Sequence, residues 1–326
     1  MTQVFETKAR LTTPGPANMS QLNTPVAFIV FNRPEATRKV FAAIAAARPS
    51  HLFIVADAPR PDREGEQQRC EEVKRIISAV DWPCTVETNF ATENLGCRRR
   101  VKSGLDWVFS RVEKAIILED DCLPDQSFFP YCAEMLERYE DYGQIGLISG
   151  FNPLQSSFPF PYSYYFTKMV QIWGWATWRR SWQKYDDTMA SWPTVKEDAL
   201  LKCMWKGRKP FESWTRIFDS MYSGEGPDAW SYNLVYSSWM RNWLNIVPRR
   251  NLIQNIGFDQ YATHTKKADR GFKIRAQNLE LPIVHPPAMI EWEEYAEGFQ
   301  HRFYTPSLIG RAWRKLGFIL NPASSD

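Results

Sequence analysis

Short apolar runs punctuate the first half of the chain at 26–31 (VAFIVF), 52–55 (LFIV), 84–87 (CTVE) and 115–118 (AIIL). Their β-branched and aromatic content predicts strands, and a spacing of about thirty residues leaves room for a crossover helix between each pair. The segments 35–47, 66–80 and 98–111 read as those helices, and Pro34 suits the first turn of its own. The series predicts an α/β architecture with a parallel sheet covered on both faces. Residues 128–139 then read as a helix and 145–149 as a further strand. From Gly150 the alternation stops. Residues 150–185 are rich in Pro, Tyr and Trp and read as irregular, followed by amphipathic stretches at 195–222 and 228–242 and a strand at 244–247. Beyond Lys266 the pattern reads as a variable tail that ends in a basic amphipathic segment at 311–316, and no internal repeat is evident.

The fourth apolar run passes directly into Glu119-Asp120-Asp121. Three adjacent like charges repel, and burying them unpaired costs several kcal/mol. A hard divalent cation, Mg²⁺ or Mn²⁺, offsets that repulsion and commonly shares its shell with phosphates. In α/β sheets ligands sit beyond the carboxyl ends of the strands, where these acids fall. Alone, the stretch also reads as a solvated acidic turn. The turns after the other strands add to it. Phe31-Asn32-Arg33-Pro34 follows the first strand and Asp57-Ala58-Pro59-Arg60 the second. The third leads to Asn94-Leu95-Gly96-Cys97-Arg98-Arg99-Arg100, a glycine and helix start suited to a phosphate, with arginines supplying charge. Together these turns form one rim.

At 326 residues the chain can bury a full α/β core, and with 44% hydrophobic residues it is globular material. A net charge of +3 and no long basic run argue against a nucleic-acid partner. Six dispersed cysteines without a CxxC pair suit reduced thiols in a cytoplasmic setting. Residues 1–24 lack the apolar core of a signal peptide, and no run has the length of a membrane span. The basic, Trp-bearing 311–316 segment suggests peripheral contact with the inner face of a membrane. Fourteen tryptophans, most of them between Trp173 and Trp243, suit either a core or the faces of sugar rings.

The strand-FNRP, strand-DAPR, ENLGCRRRV, IILEDDCLP, QIWGWATWRRSW, NLIQNIG and ATHT series, running from Val26 to Thr265, resembles a bacterial group of family-2-like glycosyltransferases with the nucleotide-sugar-binding GT-A fold. The resemblance implies a GT-A-like, Rossmann-type sheet. It makes 25–149 a nucleotide-sugar-binding half and 150–265 an acceptor and catalytic half of one domain, while 1–24 read as a flexible lead-in and 266–326 as a C-terminal extension. Its donor would be a nucleoside-diphosphate sugar, UDP before others, and its acceptor a glycan or a lipid-linked molecule.

Carried over residue by residue, Asp57 would touch base or ribose, with Phe31, Asn32 and Arg33 lining the base pocket. Arg98 and Arg100, or one of them, would face the diphosphate, with Asn94 and Gly96 part of the same nucleotide-sugar site. Asp121 would bind the metal with His264 as imidazole ligand, and Glu119 and Asp120 would lie near the donor ribose or sugar. His264 reads equally as a surface or capping histidine. An inverting transfer needs a general base opposite the leaving diphosphate. Asp228 is that candidate and Glu225 the fallback, although Asp228 also suits a helix N-cap. Where the family pattern carries a second acid this chain has Ser231, which puts the base, or activity itself, in doubt. Trp173, Gly174 and Trp175 are candidates for the floor of the acceptor or sugar site, whereas Trp178 and Trp182 read as core. Two rivals remain: a sugar-phosphate nucleotidyltransferase, and a non-catalytic glycan-binding protein.

Overall fold

The computed structural model describes residues 21–154, 160–257 and 274–304. The elements in chain order are β1 (Val26–Val30), α1 (Pro34–Ala47), β2 (His51–Ala56), α2 (Glu66–Ile77), β3 (Thr85–Phe90), α3 (Gly96–Phe109), β4 (Lys114–Glu119), β5 (Cys122–Pro124), α4 (Phe128–Arg138) and β6 (Ile145–Ser149). They continue with β7 (Tyr164–Thr167), β8 (Trp175–Trp178), α5 (Arg179–Trp182), α6 (Trp192–Glu197), α7 (Arg208–Ser223), α8 (Ser231–Met240), β9 (Leu244–Pro248), β10 (Ile253–Asn255) and α9 (Glu293–Tyr304). Among these residues no helix is long and apolar enough to cross a membrane.

Eight strands form one sheet in the order β3-β2-β1-β4-β8-β6-β9-β7. All run the same way except β8 and β7, which pair antiparallel to their neighbours. The expected fold class is therefore present: a mainly parallel, Rossmann-like sheet flanked by helices, with an aromatic-rich second half. Every residue of β1 is buried, as a strand covered on both faces requires. α1 starts at Pro34, which needs no N–H partner in the first turn. Its Val40, Phe41, Ile44 and Ala47 turn inward at helical spacing.

Two apolar layers sandwich the sheet. One joins Phe28, Val40, Ile116, Phe128 and Trp178, and the other Phe53, Leu105, Ile117, Trp175 and Trp182. A third cluster, built on Trp192, Trp214, Phe218, Tyr236, Trp239 and Phe299, packs α6 to α9 together. Residues 175–178, expected to be irregular, form β8 in the middle of the sheet. The alternating side chains of this short strand put Trp175 in one layer and Trp178 in the other. The single amphipathic stretch expected at 195–222 is broken into α6, a 3₁₀ turn (Leu200–Met204) and α7. Ala199 (φ 53°) and Gly207 (φ 106°) supply the left-handed breaks.

Gly104 lets α3 sit on β2. A Cβ there would come within 2.4 Å of Val55 Cγ1, on a side chain that is itself fully buried. Overpacking of this kind costs about 1–3 kcal/mol, against a gain of about 1 kcal/mol in helix propensity. Gly104→Ala is therefore expected to lower the stability measured by urea denaturation by up to about 2 kcal/mol. An unchanged midpoint would show that α3 can shift away from the sheet.

Candidate active site

The chain leaves β1 outward through β2 and β3, then returns to place β4 on the other side of β1. The strand order thus reverses between β1 and β4, the position at which ligands bind in open α/β sheets. A cleft of about 530 Å³ opens there, within the usual size of a small-molecule site. Its walls come from the turns after β1, β2 and β4, the start of α3, the segment before β8, the 227–230 loop with the start of α8, and the end of β10 with Gly257.

Glu119 ends β4, and Asp120 and Asp121 occupy the turn into β5. Arg33 reaches across from the end of β1. Its Nη1 donates to Asp120 Oδ1 at 3.2 Å and to Asp121 Oδ2 at 2.7 Å. The Phe31 N–H donates to the other Asp120 oxygen at 3.1 Å. β10 pairs antiparallel with β5 and brings the 251–257 segment over the acids. The Ile256 N–H then binds the Asp121 main-chain oxygen at 2.8 Å. A Cβ on Gly257 would lie 2.2 Å from Asp121 Oδ2, so the close approach needs glycine there. Burial pushes the Glu119 and Asp120 carboxyls above the usual carboxylate range. Arg33 opposes the shift in both, and the charge of Asp121 adds to it.

Asp120 and Asp121 each present an oxygen to one guanidinium nitrogen, which stands where a cation between them would lie. Among the described residues no three His, Cys, Asp or Glu side chains group into a complete metal shell. Two carboxylates do fit Mg²⁺ or Mn²⁺ held jointly with substrate phosphates and water. His264, the expected imidazole ligand, lies outside the described residues, as does the 311–316 segment.

On the β2 side, Asp57 is buried and ties its strand end to the start of α3. It accepts from the N–H groups of Ala58, Leu95 and Gly96 at 2.9–3.0 Å and from Asn94 Nδ2 at 3.2 Å. Burial nonetheless raises its pKa, with the amide bonds opposing. Phe31, Asp57 and Asn94 all line the cleft. Asn32 does not. Its Nδ2 turns inward to Glu66 Oε1 at 2.7 Å, so its part is to support the turn rather than to line a base pocket.

That contact brings in Glu66, which no motif includes, and gives Arg60 of the Asp57–Arg60 turn a definite part. Glu66, fully buried at the start of α2, accepts from the Arg60 main-chain N–H at 2.7 Å and from its Nε at 3.0 Å. Burial pushes the Glu66 carboxyl up, but the bonds from Arg60 hold it below the usual range. Arg60 is thereby fixed with its guanidinium 5.6 Å from the Phe31 ring centre, on the cleft wall. The only signal in the sequence was an acid six residues after the arginine, which is common on any helix.

The two arginines assigned to a diphosphate are both spoken for. Arg98 Nη2 donates to the Asp187 carbonyl at 2.8 Å, and its side chain is outside the cleft lining. Arg100 is buried with Nε on the Ala56 carbonyl and Nη2 on Asn89, where it pins the ends of β2 and β3. Arg100 does border the cleft, but these donors face the sheet.

Asp228 does line the cleft, and it caps a helix other than its own. Its Oδ2 accepts the Cys97 N–H at 2.7 Å and its Oδ1 the Arg98 N–H at 2.9 Å, closing the first turn of α3. Gly96 (φ 76°) permits this approach, since a Cβ there would lie 2.5 Å from Asp228 Oδ2. Glu225 is exposed and outside the cleft, so the fallback base has no access to it. Ser231 lines the cleft beside Asp228.

The other arm of the cleft is aromatic. Trp173 lines it, its ring 4.5 Å from that of Phe151, alongside Trp214, Trp230, Tyr232, Trp239 and Phe299. Trp175 is instead core: it is 1% exposed and stacks on Trp230 at 5.5 Å. Gly174 (φ 58°) serves packing, because a Cβ would meet Ile253 Cδ1 at 2.4 Å. Neither residue lines the cleft.

No protein-family model matches the chain, and no curated protein matches it. Among solved structures it is weakly similar to apo UDP-glucose pyrophosphorylase, with a TM-score of 0.33 and 10% identity over 71% of this chain and 93% of that one. At that score the likeness carries no argument about function.

The buried acids set a pH dependence. A carboxyl group whose folded-state pKa is raised keeps its proton after the unfolded chain has released its own. The folded state then binds more protons, and stability falls as pH rises from the ordinary carboxylate range through the raised value. Glu119→Gln removes one such group. In chelator-treated protein, the melting temperature of this variant is expected to gain on wild type as pH rises from the acid side to neutrality. A difference that stays flat or shrinks would show that the Glu119 carboxyl is ordinary.

Proposed function

We propose that this protein is a metal-dependent glycosyltransferase. It moves a sugar from a nucleoside-diphosphate donor, UDP before others, to a glycan or lipid-linked acceptor with inversion. The observation that carries the reading is the joining of two chemistries in one cleft. The Asp120–Asp121 pair and the Phe31–Asp57–Arg60 wall lie at the β1/β4 reversal, and Asp228 and the aromatic arm face the same space.

Each part has a task in that reaction. The Phe31 ring and the Arg60 guanidinium offer flat faces to a nucleoside, and Glu66 keeps Arg60 from swinging away. Asp57 borders the same wall within reach of base or ribose. Asp120 and Asp121 would hold the cation, which when bound supplies positive charge to the leaving diphosphate. Asp228 is the candidate base. Its oxygens are fixed by two amides, and each retains acceptor capacity for an acceptor hydroxyl proton. The aromatic arm suits the C–H face of a sugar or an apolar part of the acceptor. A nucleotidyltransferase would use a glycine-rich phosphate loop after the first strand. Here α1 starts at Pro34, directly after Phe31-Asn32-Arg33, and leaves no such loop.

Calorimetric titration of UDP and GDP, each with and without Mn²⁺, tests the reading on wild type and Asp121→Ala. Mn²⁺-dependent binding of UDP is expected, weakened at least about tenfold in the variant. Absence of binding by either nucleotide under every condition would refute the transferase reading and favour a non-catalytic glycan-binding role.

A further inference from the structure

The acid pair already has a positive partner, and that partner has the features of one meant to leave. Arg33 Nη1 sits between Asp120 Oδ1 and Asp121 Oδ2, so its guanidinium stands in for a cation at that point. A divalent ion bound by the same two oxygens would meet the guanidinium at contact distance, and the two positive charges exclude one another. We propose that Arg33 is an exchangeable counter-ion: it neutralises the Asp120–Asp121 pair until a divalent cation takes its place, and the released guanidinium then serves the diphosphate that enters with the cation. The second half rests on the transferase reading, and the first half does not.

Three observations favour exchange over a fixed structural bridge. The acids are held by groups other than Arg33 as well. The Phe31 amide fixes the second oxygen of Asp120, while the Ile256 amide and the Gly257 backbone seat Asp121. The Arg33 backbone is also anchored independently of its side chain: its carbonyl accepts from the Thr37 N–H at 2.9 Å and from Thr37 Oγ1 at 2.8 Å. A released side chain therefore stays tethered at the cleft wall. The other cleft arginines are held differently, Arg60 by the buried carboxylate of Glu66 and Arg100 by main-chain carbonyls. A divalent ion at Asp120 and Asp121 competes with neither.

Titration of MnCl₂ alone, without nucleotide, into wild type, Arg33→Gln and Arg33→Lys tests the exchange, with melting temperatures taken with and without Mn²⁺. Removing the competing charge is expected to tighten Mn²⁺ binding at least about tenfold in Arg33→Gln. The metal-free variant should melt below wild type, and Mn²⁺ should raise its melting temperature more than it raises that of wild type. Arg33→Lys, which keeps a charge on a single shorter group, should fall between, and it decides the question if metal-free Arg33→Gln does not fold. Unchanged or weaker Mn²⁺ binding in folded Arg33→Gln would overturn the exchange, as would no Mn²⁺ binding to any of the three. UDP titrated at saturating Mn²⁺ tests the second half. A loss of about tenfold in Arg33→Gln is expected, and unchanged affinity would overturn the guanidinium's service to the diphosphate. If wild type binds Mn²⁺ but no nucleotide, the transferase reading fails while the Mn²⁺ comparison still decides the exchange.

Discussion

Burying the end of β4 is the constraint on which the rest of the site depends. β4 lies in the middle of the sheet with Ile116, Ile117 and Leu118 wholly buried, so Glu119, Asp120 and Asp121 emerge into a poorly solvated cleft. Charges there are stable only when met by opposite charge or by donors. The neighbouring parts of the chain are arranged to meet them. The β1 turn is short enough to bring both the Phe31 amide and the Arg33 side chain to the acids. The β5–β10 pair draws the 251–257 segment over Asp121, where a residue without a Cβ is required. Elements far apart in sequence are thus held to one place by one electrostatic need.

The second half of the chain is tied to the first through the sheet itself. β8 inserts antiparallel between β4 and β6, and its two buried tryptophans lock the layers above and below. Asp228 makes a second tie at the cleft by capping α3 from the opposite wall. That bond couples the position of the candidate base to the helix that starts beside Asp57. Anything that shifts the start of α3 also moves Asp228, so the two walls do not adjust independently.

Much of this architecture was legible because buried parallel strands are continuous apolar runs. The runs at 26–31, 52–55, 115–118 and 145–149 located β1, β2, β4 and β6, and the acids after the fourth run located the rim. The third strand was placed early: β3 extends to Phe90 as an edge strand, and its half-exposed residues blur the pattern. β8 was missed because four residues rich in tryptophan look the same in a loop, a core or a binding floor. Side-chain destinations were the least legible. Arg98, Arg100 and Asn32 stand in positions that suit a ligand, yet each donates into the protein, to carbonyls or to Glu66. Which partner wins is decided by residues brought close only by folding, and no local spacing encodes that. The pairing of Arg60 with Glu66 is illegible for the same reason.

The three arginines that border the cleft separate by what holds them, and the difference has consequences for charge. Arg100 is bound by neutral carbonyls, so its positive charge persists near the strand ends and acts on Asp57, whose pKa it lowers against the effect of burial. Arg60 is neutralised by Glu66 and contributes mainly shape and a face for stacking. Arg33 is neutralised by the acids that a cation would occupy. If a cation took that place, as proposed above, the net charge of the rim would rise by the cation's own charge whether or not Arg33 moved; exchange would change only its distribution, by freeing a guanidinium to face the diphosphate. A cleft with two acids and no resident arginine would bind the cation more tightly by itself, but the acids would carry unrelieved repulsion whenever it was absent. On the exchange proposed above, Arg33 spares the cation-free site that repulsion and becomes available to a diphosphate once the cation is bound.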